Sequence, residues 1–521
     1  MKTDADPVLS SGEPAPINAT TDEPTTTATT YATVANKANG TITTPMPTSS
    51  LLHRNLKQPP SNVVAASGLT LTLSDGHTVL DACGGAAVSC LGYKPAYLSE
   101  VAEAVADQIR SIPYVHTMAY TTSASELAAH ELLHGNPHGF EKAYFVGSGS
   151  EAMDAALKFA RQYFFDTDQR ERVHFIARRQ SYHGNTIGAM SVGNHPRRKE
   201  AYQDEGVLQL HSASWVTPAY AYQYSDWRNG ETEEQFADRL VRELENEIVR
   251  VGHNRVVAFI AETVSGATMG CVRAPRGYWS GVRRVCDKYG VLLLLDEVMS
   301  GVGRTGTFYA FERECEEQGI TIRPDIVTLA KGLGGGIGTV AVVILSNKVV
   351  KALRDGKGKG ELRNGHTYQA HPVTCRTALT VQRILKRDKL VDRCRAMGHV
   401  LEKLLKETLA DKKYVGNIRG NGLFWGLEFV QDREAREPFD AELQWAARFQ
   451  QKVFAKGVAI FPAMGTVDGW KGDHVIVAPA YTVTGEELKT VVKAMEEAYN
   501  EMEAEVEAEV EAEVEAEADA E

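Results

Sequence analysis

Three short stretches combine residue types that could do chemistry together. Lys331 ends the apolar run Ile326-Val327-Thr328-Leu329-Ala330, and Gly332, Gly334, Gly335 and Gly336 follow it. Most lysines are solvated surface charges. One at the end of a buried strand is partly desolvated, which lowers its pKa and makes its amine nucleophilic. Asp296 closes a second run, Leu292-Leu293-Leu294-Leu295-Asp296-Glu297. A buried carboxylate needs a cationic partner or a metal, since isolated burial would neutralise it. The run also fits the metal-binding strand of a phosphate-loop ATPase, but the G-x-x-x-x-G-K-[ST] loop of that fold occurs nowhere in the chain. No metal site is expected.

The third stretch is Phe145-Val146-Gly147-Ser148-Gly149-Ser150-Glu151-Ala152, a glycine-rich turn between a strand and a helix. Small residues let backbone N–H groups approach an anion, and the helix N-terminus adds partial positive charge, so a phosphate is its natural occupant. Gly147-x-Gly149-x-x-Ala152 also satisfies the dinucleotide fingerprint. The next strand ends in Arg178-Arg179, as a 2′-phosphate would require, so an NADP-dependent oxidoreductase is the rival reading. A tight turn without a ligand is the plainer alternative. An amine, a carboxylate and a phosphate cradle at three strand ends match the needs of pyridoxal phosphate. The cradle would anchor it, the lysine would form an imine with its aldehyde, and the carboxylate would keep its ring nitrogen protonated. No dinucleotide enzyme requires the lysine.

These residues need a scaffold that brings strand ends together. Apolar runs at Ala143–Val146, Val173–Ala177, Val256–Ala261, Val291–Leu295, Ile326–Leu329 and Val340–Leu345 read as buried strands alternating with helices. Continuous apolar strands of this kind indicate an α/β fold with a mainly parallel sheet covered on both faces. Such sheets place ligands at the carboxyl ends of their strands.

At about 100–200 residues per domain, 521 residues suggest two to four folding units. The formal charge of -12 owes much to the last twenty residues, and the rest is too balanced for electrostatic binding to nucleic acid. Seven cysteines without a C-x-x-C pair suit a reducing compartment rather than a disulfide framework or zinc knuckle. No apolar stretch approaches the ~20 residues that span a bilayer. Residues 1 to about 50, rich in Thr, Ala, Pro and Ser, are expected to be disordered and carry neither a secretory signal nor an Arg-rich transit peptide. A cytoplasmic location is expected. From Glu503 the chain repeats Glu-Ala-Glu-Val, and Val506, Val510 and Val514 could mark one helix face. Its glutamates repel and it contains no lysine to pair with them, so a solvated acidic tail over 501–521 is expected.

Beyond these local readings, the chain resembles the class III, fold type I pyridoxal-phosphate aminotransferases over nearly all of residues 60–500. The resemblance rests on Val146–Ala152, Tyr182-His183-Gly184, Glu262-Thr263-Val264-Ser265-Gly266, Leu295–Gly306, Ala330-Lys331-Gly332-Leu333, Gly365-His366-Thr367-Tyr368 and Arg419-Gly420-Asn421-Gly422-Leu423, in that order. It implies that Lys331 is the Schiff-base lysine and carries a proton between substrate Cα and cofactor C4′, and that Asp296 pairs with the pyridinium nitrogen. Gly149 and Ser150 would bind the phosphate, while Tyr182 would stack on one ring face and Val298 pack on the other. Thr367 would reach the phosphate of a neighbouring subunit, so a homodimer is implied. Glu262 would support the cofactor from nearby, and His183, Arg304 and Arg419 would hold loops and domains. The reaction implied is ping-pong transfer of an amino group from an amine or amino acid to a 2-oxo acid. An aminomutase or decarboxylase shares the same lysine, aspartate and phosphate cradle.

A large cofactor domain is expected over residues 113–375, with a seven-stranded type of sheet, and a smaller α+β domain from 51–112 and 376–500. Two departures from the family bear on substrate. Relatives acting on ornithine or 4-aminobutyrate place an arginine where Ile476 stands, and a glutamate paired with it where this chain reads Gly266-Ala267-Thr268-Met269. Both halves of that switch are missing together, as the cost of a lone buried charge demands. Other relatives carry a mobile arginine in the loop that here reads Gly465-Thr466-Val467-Asp468-Gly469-Trp470-Lys471, where only Lys471 is basic. The expected donor therefore lacks a carboxylate at the usual site, or Lys471 binds it without arginine's two-pronged geometry. Gly84-Gly85-Ala86-Ala87, where some relatives place a large aromatic, suggest a roomy donor pocket.

Overall fold

The computed structural model describes residues 50–202 and 212–520, with side chains to 508. The tail expected over 1–50 therefore lies almost wholly outside the described residues. The described residues from Ser61 onward form one compact unit, and residues 50–60 belong to another. In the latter, the Asn55 side chain accepts a hydrogen bond from the Lys57 amide at 2.9 Å, making a local turn.

Seven strands make the central sheet: β1 (Phe140–Val146), β2 (His174–Arg178), β3 (Ser212–Val216), β4 (Val256–Glu262), β5 (Leu292–Asp296), β6 (Ile326–Leu329) and β7 (Ala341–Ser346). Their spatial order is β1-β7-β6-β5-β4-β2-β3, and only β7 runs antiparallel to its neighbours. Strands β4 to β7 are buried at every residue, which explains their unbroken apolar sequences. Six of the strands coincide with the apolar runs. The seventh, β3, reads Ser-Ala-Ser-Trp-Val and sits at the sheet edge, mostly half-buried, so it carries no continuous apolar signal.

Outside this sheet, the two flanks of the chain meet. Val458–Ala459 pairs in parallel with Leu80 and Asp81, extending the antiparallel strands Val63–Ser67, Thr70–Leu73 and Thr78–Asp81. A second antiparallel sheet joins Val415–Asn421, Phe424–Phe429, Asp473–Val477 and Phe461–Met464.

Arg304 ties these parts together. Its fully buried guanidinium donates from Nη1 to the carbonyls of Leu423, Ala478 and Pro479 at 3.1, 3.1 and 2.6 Å, and from Nη2 to that of Ser89 at 3.0 Å. It also lies 4.7 Å from the centre of the Tyr481 ring. Replacing it by Met strands four buried acceptors, a cost of roughly 3–5 kcal/mol. The Arg304→Met protein should therefore lose several degrees of thermal midpoint; a change under 1 °C would show that the carbonyls find other donors.

The C-terminal segment differs from the solvated tail its composition suggests. One helix runs from Gly485 to Ala520. Tyr499 and Met502 are buried, and Val506 packs on the core. The missing cations come from elsewhere: Glu505 pairs with Arg448 and Lys452 at 3.1 and 2.6 Å, and Glu501 with Lys456 at 2.6 Å. Composition within the repeat could not reveal lysines some fifty residues upstream.

Candidate active site

Sheet register sets the site. Asp296, last in β5, pairs across the sheet with Glu262 on β4 and with Thr328 on β6, so three strand ends lie side by side. Lys331 follows β6 by two residues and opens a short 3-10 turn, with φ of 46°. A left-handed backbone at a non-glycine residue costs on the order of 1–3 kcal/mol and clusters at functional positions. Among the described residues Lys331 forms no ion pair. Burial lowers its amine to about pKa 8, against the opposing pull of Asp296 and Glu262; Arg304 and Arg198 add to the lowering.

The Asp296 carboxylate is braced from three directions. Its Oδ1 accepts from the Val298 amide at 3.0 Å and from the Thr328 hydroxyl at 3.4 Å. Its Oδ2 lies 2.9 Å from Nδ1 of His183, a side chain with no exposure. Nε2 of His183 is buried without a partner among the described residues. The family resemblance implies for His183 only the holding of loops and domains; that its ring meets Asp296 depends on how the Tyr182-His183-Gly184 loop crosses the sheet end, which no local pattern encodes.

The glycine-rich turn supplies the anion cradle. Helix α1 (Gly149–Asp166) begins at Gly149, with Ser148 as its cap, the Ser148 hydroxyl accepting from the Glu151 amide. The amides of Gly149 and Ser150 donate to no group among the described residues. Ser150 Oγ accepts from the Asn185 amide at 2.9 Å, which leaves its own hydroxyl proton to give. A Cβ at Gly149 would lie 2.8 Å from Val298 Cγ1 and 3.6 Å from Ala330 Cβ, so only glycine lets the cradle close against the residues flanking Asp296 and Lys331.

Glu262 is buried, and burial pushes its carboxyl above the usual range. Its Oε2 accepts from the Gly266 amide at 3.0 Å and its Oε1 lies 3.5 Å from the Tyr182 amide, so it holds the Tyr182 loop. Arg178 donates to the Glu262 carbonyl and, at 3.2 Å, to Ser265 Oγ. That buried arginine is committed to the protein and is not presented to a nucleotide 2′-phosphate, and its exposed neighbour Arg179 donates to the Thr217 hydroxyl, which weakens the NADP reading.

Gly149, Ser150, Tyr182, Glu262, Asp296, Val298 and Lys331 are thus brought into one place. Thr367 and Lys471 are not joined to them by any hydrogen bond or ion pair among the described residues. Thr367 is exposed, and its carbonyl accepts from Tyr114 at 3.0 Å. Lys471 is exposed, its amide held by Asp468 Oδ1 at 2.7 Å. Its loop is anchored next to Tyr182: Gln180 Nε2 donates to the Gly465 carbonyl at 2.8 Å, and Tyr224 donates to the Val467 carbonyl.

An anion cradle, a desolvated amine and a braced carboxylate on one rim suit a group with a phosphate, an aldehyde and a basic ring nitrogen, which is pyridoxal phosphate. Comparison with known proteins agrees. Residues 52–499 match the family described as aminotransferase class-III. A protein named uncharacterized aminotransferase from Schizosaccharomyces pombe is 44% identical, covering 84% of this chain and 92% of that one. A protein named aminotransferase from Gibberella zeae is 41% identical, covering 86% and 85%. Among solved structures, a PLP-bound amine transaminase from an uncultivated Pseudomonas species superposes with a TM-score of 0.77 at 28% identity, covering 88% of this chain and 98% of that one.

Proposed function

Since the chain belongs to the class-III aminotransferases, which use pyridoxal phosphate to move amino groups, we propose that its donor is an apolar amine without a carboxylate, that its acceptor is a 2-oxo acid, and that it works as a homodimer. One observation carries the donor reading. Ile476 is buried, at 1% exposure, in an apolar cluster with Ala87, Val264, Phe424 and Ala478, against which Met299 and Phe461 pack. This wall adjoins Val298 and the turn after Glu262, and it offers a carboxylate nothing. A Cβ at Gly85 would meet no atom within 4 Å, consistent with room beside the wall. The structurally similar protein from Pseudomonas is named an amine transaminase, which favours the same class of donor.

When bound, pyridoxal phosphate supplies an aldehyde that captures amines and a protonated ring that takes up the electrons of the broken C–H bond. Gly149 and Ser150 would hold its phosphate by two amides and a hydroxyl. Tyr182 and Val298 would bound the two ring faces, offset stacking adding about 0.5–1.5 kcal/mol beyond burial. Asp296, fixed by His183, Thr328 and the Val298 amide, would keep a negative charge against the ring nitrogen. With a pKa of about 8, Lys331 is neutral in an appreciable fraction at neutral pH, and its Nζ takes the proton from the donor's amine-bearing carbon. The same Nζ then serves as the acid that returns it.

The dimer reading rests on the surface around Thr367. Tyr368, next in sequence, is exposed, as are Met118 and Tyr120, and the Tyr114 ring meets Tyr368 edge-on at 5.9 Å. Exposed aromatic and methionine side chains of this kind mark protein–protein contacts.

The test is a donor screen on the holoenzyme, following the bleaching of its visible absorbance in a single half-reaction. 1-Phenylethylamine should outrun 4-aminobutyrate by at least about tenfold, the worth of one unmet buried charge. A preference for 4-aminobutyrate or ornithine would refute the donor reading. Light scattering on the same sample should give about twice the 57.0 kDa of one chain.

A further inference from the structure

Asp296 and Lys331 lie at or just past the carboxyl ends of β5 and β6. A second cavity, of about 710 Å³, opens at the amino ends of β2 and β3, beside Val173, Phe175 and Ser212. Helix α1 forms another of its walls from Leu157 to Phe165, roughly 12–24 Å along the helix axis from Gly149. The cavity is therefore separate from the phosphate cradle. Arg363 and Asn364 complete it, held to α1 by the Arg363 amide, which donates to Gln162 Oε1 at 3.1 Å.

Its lining divides by chemistry. Leu157, Phe165, Val173 and Phe175 give an apolar floor with two aromatic rings. Lys158, Arg161 and Arg363 stand around it, and no acid lines it among the described residues. Lys158 is exposed and forms no ion pair among the described residues. Arg161 donates from Nη2 to the Arg170 carbonyl at 2.9 Å, but its Nη1 is buried without a hydrogen-bond partner among the described residues. Arg363 has one pairing, with the exposed Glu361 at 3.6 Å. Asn364 is 8% exposed, and neither its Oδ1 nor its Nδ2 meets a partner among the described residues. Buried polar groups left unmet are costly and rare in folded proteins. A buried amide and a buried guanidinium nitrogen, both unmet at one cavity, mark where a ligand's polar atoms belong.

We propose that this cavity binds an organic anion with an apolar, ring-bearing body. The body lies against Phe165 and Phe175, where offset or edge-on packing of rings is favourable. The anionic group takes the free Nη1 of Arg161 and the ammonium of Lys158 in charge-assisted hydrogen bonds. Asn364, with a donor and an acceptor, meets a polar atom of the same ligand. A bare inorganic anion would leave the apolar floor wet, and a neutral ring system would leave the cations unmet. Both halves of the ligand are needed.

The test titrates the enzyme, loaded with pyridoxal phosphate so that the cradle is filled, with two fluorescent probes. One is 1-anilinonaphthalene-8-sulfonate; the other is N-phenyl-1-naphthylamine, the same rings without the sulfonate. The anionic probe should bind at least about tenfold more tightly than the neutral one, the worth of one hydrogen bond to a charged group. Arg161→Gln should remove most of that preference and leave the affinity for the neutral probe unchanged. Lys158→Gln, at an exposed position, should act in the same direction by a smaller factor, which keeps the test decisive if the Arg161 variant fails to fold. Val173→Trp, at the exposed rim, should block both probes. Probe bound elsewhere, on the exposed Tyr368 and Met118 for example, would ignore all three substitutions. Equal affinity for the two probes, or affinities that none of the three substitutions moves beyond the error of the titration, would overturn the proposal.

Discussion

Lys331→Ala should abolish turnover, lowering kcat by at least about 10⁴-fold, the upper range for a positioned acid–base group. The effect is expected to be this large because no other side chain can substitute. Nζ sits in a desolvated position that brings its pKa to about 8, and among the described residues no other lysine is placed at the strand ends carrying Asp296 and Glu262. The variant should still fold. Alanine removes the long side chain, and the left-handed backbone at 331, though strained for either residue, is fixed by the amides of Gly334 and Gly335, which donate to the Lys331 carbonyl at 3.2 and 3.0 Å. It should also lose the visible absorbance of the bound cofactor while keeping affinity for the phosphate through Gly149 and Ser150. Added methylamine should restore a small part of the rate. A variant with more than about 1% of wild-type kcat would show that the proton moves through another group.

Asp296→Asn separates charge from covalent attachment. It should stay yellow, because Lys331 is untouched, yet fall about 10²–10³-fold in kcat, as preorganised electrostatic contacts do when removed. The structure says why geometry will suffer too. Oδ1 accepts from an amide and Oδ2 faces His183, so an asparagine can present its single oxygen to only one of them. Cofactor affinity, titrated by absorbance, should weaken in the same variant. Unchanged kcat would mean that the ring nitrogen does not need this carboxylate.

The apolar runs made the central sheet legible because strands β4 to β7 are buried on both faces and cannot carry polar residues. Lys331 and Asp296 were legible for the same reason, as charged residues ending sequences that otherwise exclude charge. The residues that brace them were not. His183 reaches Asp296 across 113 positions of sequence, and Arg178 reaches the Glu262 carbonyl across 84. Such contacts are set by strand order, and strand order is not written in any local pattern. The edge strand β3 was missed because an edge tolerates serine. The acidic C-terminal repeat misled in the other direction: its helix draws its cations from Arg448, Lys452 and Lys456, so reading the repeat alone removed its partners.

Borohydride reduction of the holoenzyme, followed by digestion and mass spectrometry, puts the whole chemical reading at risk in one step. The peptide spanning Leu329 to Gly336 should carry the added mass of one reduced cofactor, fixed on Lys331. A fully loaded enzyme whose reduced cofactor is found on a different lysine, or on none, would contradict it.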